Sequence, residues 1–156
     1  MRARASSRHL LEVFLSRLRL LGVIDERSEE LVRPILARGL MGMHKVAALE
    51  RTLGRSRRLI LRAMKKAGLS GPNHWLMAAK LMYVLCAFWR AGDGLMALCR
   101  NLGYDGFVIS TLCIHVTGVR PCVVRERCEV ANSMFPIIDA CVPYLIASSE
   151  EGEVAA

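Results

Sequence analysis

The sequence predicts an all-α domain, and three observations lead to that prediction. Alternation of apolar and polar residues with a period of two, which is typical of a half-buried strand, is nearly absent. Residues that favour helices dominate instead, and glycine or proline interrupts them at intervals of roughly ten to twenty residues. Apolar residues make up 53% of the 156 residues, which is enough to bury a sizeable core.

The first 43 residues are predicted to form amphipathic helices. Over 8–21 the apolar residues recur on one helical face, and Gly22 ends that helix. A polar stretch then caps a second helix over about 25–37. The glycine-containing stretch 39–44 interrupts the chain, so we set the end of this N-terminal region at residue 43.

Residues 44–126 repeat one order of elements before and after a long apolar helix. Both halves place Ala-Leu-x-Arg ahead of Leu-Gly, in "VAALERTLGRS" and "LMALCRNLGYD". Because glycine accepts the dihedrals that reverse a chain over a short turn, we predict two helix-turn-helix units. They are homeodomain-like three-helix bundles joined by one linker helix. The predicted elements are helices at about 45–52 and 56–67, the linker helix at 74–91, and helices ending at Gly103 and Gly118.

The segment from Gly54 to Gly68, "GRSRRLILRAMKKAG", concentrates positive charge. It holds six of the 22 Lys and Arg residues, against 14 Asp and Glu residues and a formal net charge of +8 for the whole chain. On a helical wheel, five of the six fall within about 100° of arc, and Ile60, Met64 and Ala67 lie opposite. One face packs and the other is cationic, which favours nucleic acid as the partner ahead of anionic lipid or an acidic protein.

Four stretches of this region match one known pattern in the correct order. "SRRLILRAMKKAG" (56–68) matches a first recognition helix and "KLMYVLCAF" (80–88) a linker helix. "CRNLGY" (99–104) matches the turn of a second unit and "TGVRPCVVR" (117–125) its closing motif. Together they resemble the DNA-binding region of the AraC/XylS family of bacterial transcription regulators. The resemblance implies a sequence-specific, non-enzymatic transcription regulator that binds double-stranded DNA in the bacterial cytoplasm.

The resemblance also implies roles for individual residues. Ser56 would cap the first recognition helix, whereas Arg57, Arg58 and Arg62 would contact bases or phosphates, since arginine can bond guanine O6 and N7 together. The lysines of that helix and the two arginines after the second unit would contact phosphates. The candidate DNA-binding residues are Arg55, Ser56, Arg57, Arg58, Arg62, Lys65, Lys66, Ser110, Thr111, His115, Arg120 and Arg125.

Three departures from the family pattern make helix 56–67 the expected main reader. Glu50 occupies a position where the family has an inward alanine, and Arg55 one where it has an apolar residue. The second recognition helix reads "FVISTLCIHV" (107–116), without the basic residues that the family has there. These departures also support a second hypothesis, a degenerate helix-turn-helix protein that acts as a protein–protein interaction module without DNA binding.

The remaining residues predict no chemistry. The histidines lack metal-ligand spacing and no catalytic constellation is visible, so we expect neither metal nor cofactor nor enzymatic activity. The apolar tail, 127–156, is interrupted by Pro136 and Pro143, and either completes the core or offers a surface for a partner. Self-association through this tail or the N-terminal helices would suit a protein with one good reading helix.

The cysteines and the longest apolar stretch bear on location. None of the six cysteines forms a C-x-x-C pair, which is typical of free thiols in a reducing compartment. The stretch 75–89 is interrupted by Lys80 and is shorter than the ~20 residues of a membrane span, so a core helix is expected. An arginine-rich start leaves two alternatives open, an organelle transit peptide and a basic peripheral membrane protein.

Overall fold

The structure confirms the all-α prediction. A computed structural model describes residues 2–42, 50, 51 and 53–147, and residues 50, 51 and 53 are helical. The extended structure in this part of the chain is one isolated antiparallel bridge between Leu69 and Ile146. The longer helices of the described residues are α1 (Arg2–Leu20), α2 (Glu26–Leu40), α3 (Arg57–Lys66), α4 (Pro72–Ala91), α5 (Leu95–Leu102), α6 (Gly106–Thr117), α7 (Pro121–Ala131) and α8 (Phe135–Leu145).

Glycines end several of these helices as predicted. Gly22 follows α1 at φ +74°, and Gly103 and Gly118 follow α5 and α6, both at φ +79°. Positive φ is costly for a residue with a Cβ atom, so glycine is favoured at these ends. The observed helices α1–α6 therefore correspond, in order, to the predicted helices at 8–21, 25–37, 56–67 and 74–91 and to the two that end at Gly103 and Gly118. The predicted helix at 45–52 lies mostly outside the described residues.

Two helices near the C-terminus were not predicted, and both contain proline. α7 begins at Pro121, where a missing N–H group costs nothing because first-turn donors have no acceptor within the helix. In α8, Pro136 also lies in the first turn, and Pro143 lies close to the end. The expectation that the two prolines break this segment was wrong: Pro136 lies in the first turn, where proline is tolerated, and the helix continues through Pro143 to Leu145.

The described chain packs as two compact units. One comprises Met1–Ala79 with Tyr144–Ala156, and the other comprises Lys80–Pro143. The predicted domain boundaries after residues 43 and 126 fall inside these units. The division into functional domains stays a prediction.

The first compact unit is built on α1 and α2, which pack against each other. Asp25 and Ser28 form a reciprocal capping box at the start of α2, with Asp25 Oδ1 accepting from the Ser28 N–H at 2.9 Å. A Cβ atom added at Gly39 would lie 2.5 Å from the Ala79 Cβ, so α2 runs close to the first part of α4. The fully buried side chains include Phe14, Leu15, Leu18, Val32, Ile35, Leu36, Ile60, Met64, Trp75 and Leu76.

The end of the described chain returns to the residues that follow α3. Ser70 N donates to Leu145 O at 2.9 Å, and Ala147 N donates to Gly68 O at 3.1 Å. The ring centroids of His74 and Tyr144 are 4.5 Å apart. These contacts fix the C-terminal end of α3 in the first compact unit.

The second compact unit buries apolar faces of α5, α6, α7 and α8 together with the later part of α4. Five of the six cysteines are buried, Cys122 is exposed, and all six are free thiols. Burial raises the pKa of Cys86 to about 12 and also raises the pKa of Cys113, Cys128 and Cys141. These thiols stay protonated and serve as small apolar side chains.

Candidate nucleic-acid interface

The basic helix α3 begins with two caps. Ser56 is the N-cap residue, and its Oγ accepts from the Leu59 N–H at 3.4 Å. Glu50 Oε1 accepts from the Arg57 N–H at 3.0 Å. The carboxylate of Glu50 therefore lies at the positive end of the helix dipole, where it is favoured. This contact explains a charged residue at a position where the family resemblance implies an inward alanine.

α3 has one buried side and one basic side. Ile60 and Met64 are fully buried. Four exposed cations of the helix lie on the opposite side at about 100° per residue, and exposed Arg55 immediately precedes the N-cap. We call these five residues the basic face: Arg55, Arg58, Arg62, Lys65 and Lys66. Among the described residues, no acidic side chain is within ion-pair distance of any of these five. Their charges are therefore available to a partner.

The charges of α1 and α2 are arranged differently. Arg33 binds Glu12 and lies 3.4 Å from Glu29, and Arg19 lies 3.6 Å from the same Glu29 carboxylate. The hydrogen bond from Arg33 lowers the pKa of Glu12. Arg19 and Arg33 are thus paired with acids of the same two helices, whereas the cations of the basic face have no such partner among the described residues.

Other residues of the predicted first site differ in position. Arg57 is exposed at the first turn of α3, and at about 100° per residue it lies outside the arc of the basic face. Leu59 and Leu61 flank the basic face with 51% and 42% of their surface exposed. Either leucine is accessible to an apolar group of a partner.

The second predicted recognition helix, α6, is capped and packed but not basic. Asp105 Oδ1 accepts from the Phe107 N–H at 2.8 Å and from the Val108 N–H at 3.3 Å. Gly106 lies so close to Met96 that a side chain there would collide with it, so α5 and α6 pack tightly. No Lys or Arg occurs in α6.

The exposed side of α6 is apolar. Phe107, Val108 and Ile114 expose 75%, 55% and 46% of their surface. An open depression of about 440 Å³ is lined by Phe107, Val108, Thr111, Leu112 and His115. Of the predicted contacts here, Thr111 and His115 are exposed and Ser110 is half-buried. We call Phe107, Val108, Leu112 and Ile114 the apolar face. These four large apolar residues were its signal in the sequence of the predicted second recognition helix.

The two arginines after α6 have different surroundings. Arg120 is exposed at the N-cap position of α7. The guanidinium of Arg125 lies 4.4 Å from the centroid of the Phe88 ring, and its Nη1 donates to Asp93 O at 3.4 Å. Its Nε lies 3.6 Å from Glu129. Arg125 is held within the second compact unit, and we do not carry it into the proposed interface.

Lys80, like Arg125, lies over an aromatic ring. Its ammonium lies 5.0 Å from the centroid of the Tyr104 ring. A cation over an aromatic face is stabilised by the ring quadrupole. This contact accounts for the lysine that interrupts the apolar stretch of α4.

Comparison with protein-family models, curated proteins and solved structures found no match for this chain. The resemblance to AraC/XylS regulators therefore rests on the quoted stretches. Within the described residues, no group of three or more His, Cys, Asp or Glu side chains is placed to hold a metal ion. No single described helix is long and apolar enough to cross a membrane, and α6 with α7 passes the same test only as a pair bent by 66°.

Proposed function

We propose that this chain binds double-stranded DNA through α3 and regulates transcription in the manner of AraC-type proteins in the bacterial cytoplasm. The observation that carries the proposal is the basic face. Four cations on one side of α3, with Arg55 just before its N-cap, repel one another unless they meet negative charge. Phosphates of a duplex supply that charge, and release of their counterions provides affinity.

Two glycine turns support an arrangement of two helix-turn-helix units joined by α4. Gly54 and Gly103 belong to the repeated Leu-Gly pairs of the sequence, and they have φ of +61° and +79°. In each case a helix begins three residues later, α3 at Arg57 and α6 at Gly106. The sequence echo thus coincides with a repeated local geometry, as expected of two related turns.

Within α3 we assign separate roles to the cations. Arg58 and Arg62 lie one turn apart near the middle of the exposed side, and they contact base edges or phosphates in the major groove. Arg55, Lys65 and Lys66 contact phosphates and position the helix. The Ser56 hydroxyl is already used as a cap, so its role is to set the start of the helix.

We do not assign base contacts to α6, because it has no Lys or Arg on its exposed side. DNA binding through α3 would then cover one major-groove segment. A second candidate function follows from the same helix. The apolar face is typical of protein–protein contact, since exposed apolar side chains cluster at such sites. If this is the main function, Phe107→Ser abolishes partner binding, and the basic face is a solvated surface.

The proposal is tested with one double variant and one matched control. Arg58→Gln/Arg62→Gln removes two cations of the basic face, and Arg127→Gln removes one exposed arginine of α7. Fluorescence anisotropy with a duplex should show weaker binding for the double variant and a log–log salt slope shallower by about 1.8, at about 0.9 for each contact. Arg127→Gln should bind like the original protein. Equal affinity of all three proteins would contradict the role of α3.

A further inference from the structure

A cavity of about 540 Å³ lies between the start of α2 and α3, within the first compact unit. Leu31, Leu53 and Ala63 form apolar parts of its lining. Such a volume is within the range of small-molecule sites, roughly 300–1,000 Å³. The cavity therefore has the size and the mixed lining of a site for a small organic molecule.

Charged side chains of both signs surround this cavity. Asp25, Arg27 and Glu30 belong to the α2 wall, and Arg55 and Lys66 belong to the α3 wall. Among the described residues, none of these five forms an ion pair. Arg27 is close enough to Asp25 to help lower its pKa, whereas Glu30, Arg55 and Lys66 border the cavity with no ion pair among the described residues.

The state of Asp25 is set by the capping box. Hydrogen bonds from the backbone and side chain of Ser28 lower the pKa of Asp25, so it is a carboxylate at neutral pH. These bonds use Oδ1 of Asp25. A backbone hydrogen bond from Arg27 also lowers the pKa of Asp25, and the charged carboxylate borders the cavity.

We propose that this cavity binds a small zwitterion of amino-acid to dipeptide size. Its carboxylate is placed toward Arg55 and Lys66, its ammonium toward Asp25 and Glu30, and its side chain against Leu31 and Leu53. A molecule with both charges meets the two acids of the α2 wall and the cations Arg55 and Lys66, whereas an anion or a cation alone meets only one of these two groups. Charge-assisted hydrogen bonds at both ends give the selectivity.

The position of the cavity couples it to the basic face. Arg55 and Lys66 belong both to the cavity lining and to the basic face. A bound carboxylate would neutralise two of the five cations, so the zwitterion and DNA would compete. This regulatory consequence rests on the proposed function, but binding of the zwitterion itself does not.

The test is isothermal titration calorimetry of the full chain with alanyl-leucine as the probe. N-acetyl-alanyl-leucine lacks the ammonium group and alanyl-leucinamide lacks the carboxylate, so each is expected to bind at least about tenfold more weakly. Glu30→Gln and Lys66→Gln should each weaken alanyl-leucine binding by at least about tenfold. Glu26→Gln and Lys65→Gln are the matched controls, since both residues are exposed neighbours outside the cavity, and they should leave binding unchanged.

Two outcomes would overturn the proposal. One is the absence of saturable binding by alanyl-leucine or free leucine up to about 10 mM. The other is equal weakening in Glu30→Gln and Glu26→Gln, or in Lys66→Gln and Lys65→Gln, which would indicate a diffuse charge effect.

A DNA-binding measurement separates this inference from the proposed function. Alanyl-leucine should weaken duplex binding by the original protein and should have no such effect on Glu30→Gln. Dipeptide binding without duplex binding would leave the cavity site intact and remove the DNA function. Duplex binding with no dipeptide binding would support the DNA function and overturn the cavity site.

Discussion

The carboxylate of Glu50 provides the most discriminating prediction about α3, because its removal is expected to change stability and DNA affinity in opposite directions. Its Oε1 accepts from the Arg57 N–H at 3.0 Å, whereas the Ser56 cap has a longer contact of 3.4 Å. Glu50→Ala removes a capping acceptor and a charge favoured by the helix dipole. Glu50→Gln removes the charge but keeps an oxygen that can accept the same hydrogen bond.

The magnitudes follow from these two parts. Loss of a capping hydrogen bond costs about 1 kcal/mol, and loss of the charge–dipole interaction costs about 0.3–1 kcal/mol. We therefore expect Glu50→Ala to lower the free energy of unfolding by about 1–2 kcal/mol and Glu50→Gln by less than about 1 kcal/mol. At about 2–4 °C per kcal/mol for a chain of this size, Glu50→Ala should lower Tm by roughly 2–8 °C.

Duplex affinity should change in the other direction. A negative charge at the N-terminus of α3 repels the phosphates that the basic face attracts, so Glu50→Gln should bind DNA a few times more tightly at low salt. Thermal unfolding followed by circular dichroism and duplex anisotropy measure the two effects. Glu126→Gln, an exposed glutamate of α7, is the matched control. Unchanged Tm in Glu50→Ala would show that Glu50 does not cap α3, and unchanged or weaker duplex binding by Glu50→Gln would refute the electrostatic argument.

Three further predictions concern packing, pH and thiols. Gly39→Ala should lower the free energy of unfolding by about 1–3 kcal/mol in urea titration, because the new Cβ meets Ala79 and the Leu76 carbonyl. Gly94→Ala, whose Cβ meets nothing, should cost only the poorer N-cap of α5, about 0.5 kcal/mol. The pKa values of Glu12 and Asp25 are lowered in the folded state, so the stability that they contribute is present at neutral pH and is lost as pH falls through their lowered pKa; Glu12→Gln should therefore show a smaller loss of Tm on acidification than the original protein. Ellman's reagent should modify Cys122 rapidly in the native protein and all six cysteines only in denaturant, and rapid native modification of a second thiol would contradict the burial that we describe.

The sequence predicted the elements whose signals are local. Gly22, Gly103 and Gly118 mark helix ends because glycine readily adopts left-handed backbone. Ser56 marks the start of α3 because its hydroxyl accepts from an N–H of the first turn. α8 was missed because Pro136 was treated as a breaker, although its effect depends on where the helix begins. Helix boundaries were thus predictable where a single residue determines them.

The candidate site was predictable only in part. The basic face follows from helical periodicity and needs only the knowledge that α3 is a helix. The contact of Glu50 with α3, the contact of Arg125 with Phe88 and the cavity between α2 and α3 depend on residues that are distant in sequence. Such contacts arise from tertiary packing, and no local pattern encodes them.

The salt dependence of duplex binding by the original protein tests the central claim most directly. If all five cations of the basic face contact phosphates, the log of the association constant should fall against log salt with a slope of about −4.5, which is roughly a 500-fold loss of affinity between 50 and 200 mM salt. Binding of a random duplex with a slope of this size would support α3 as a DNA-binding helix. Absence of binding at low salt, or a slope near zero, would contradict the account and leave the apolar face of α6 as the surface to investigate.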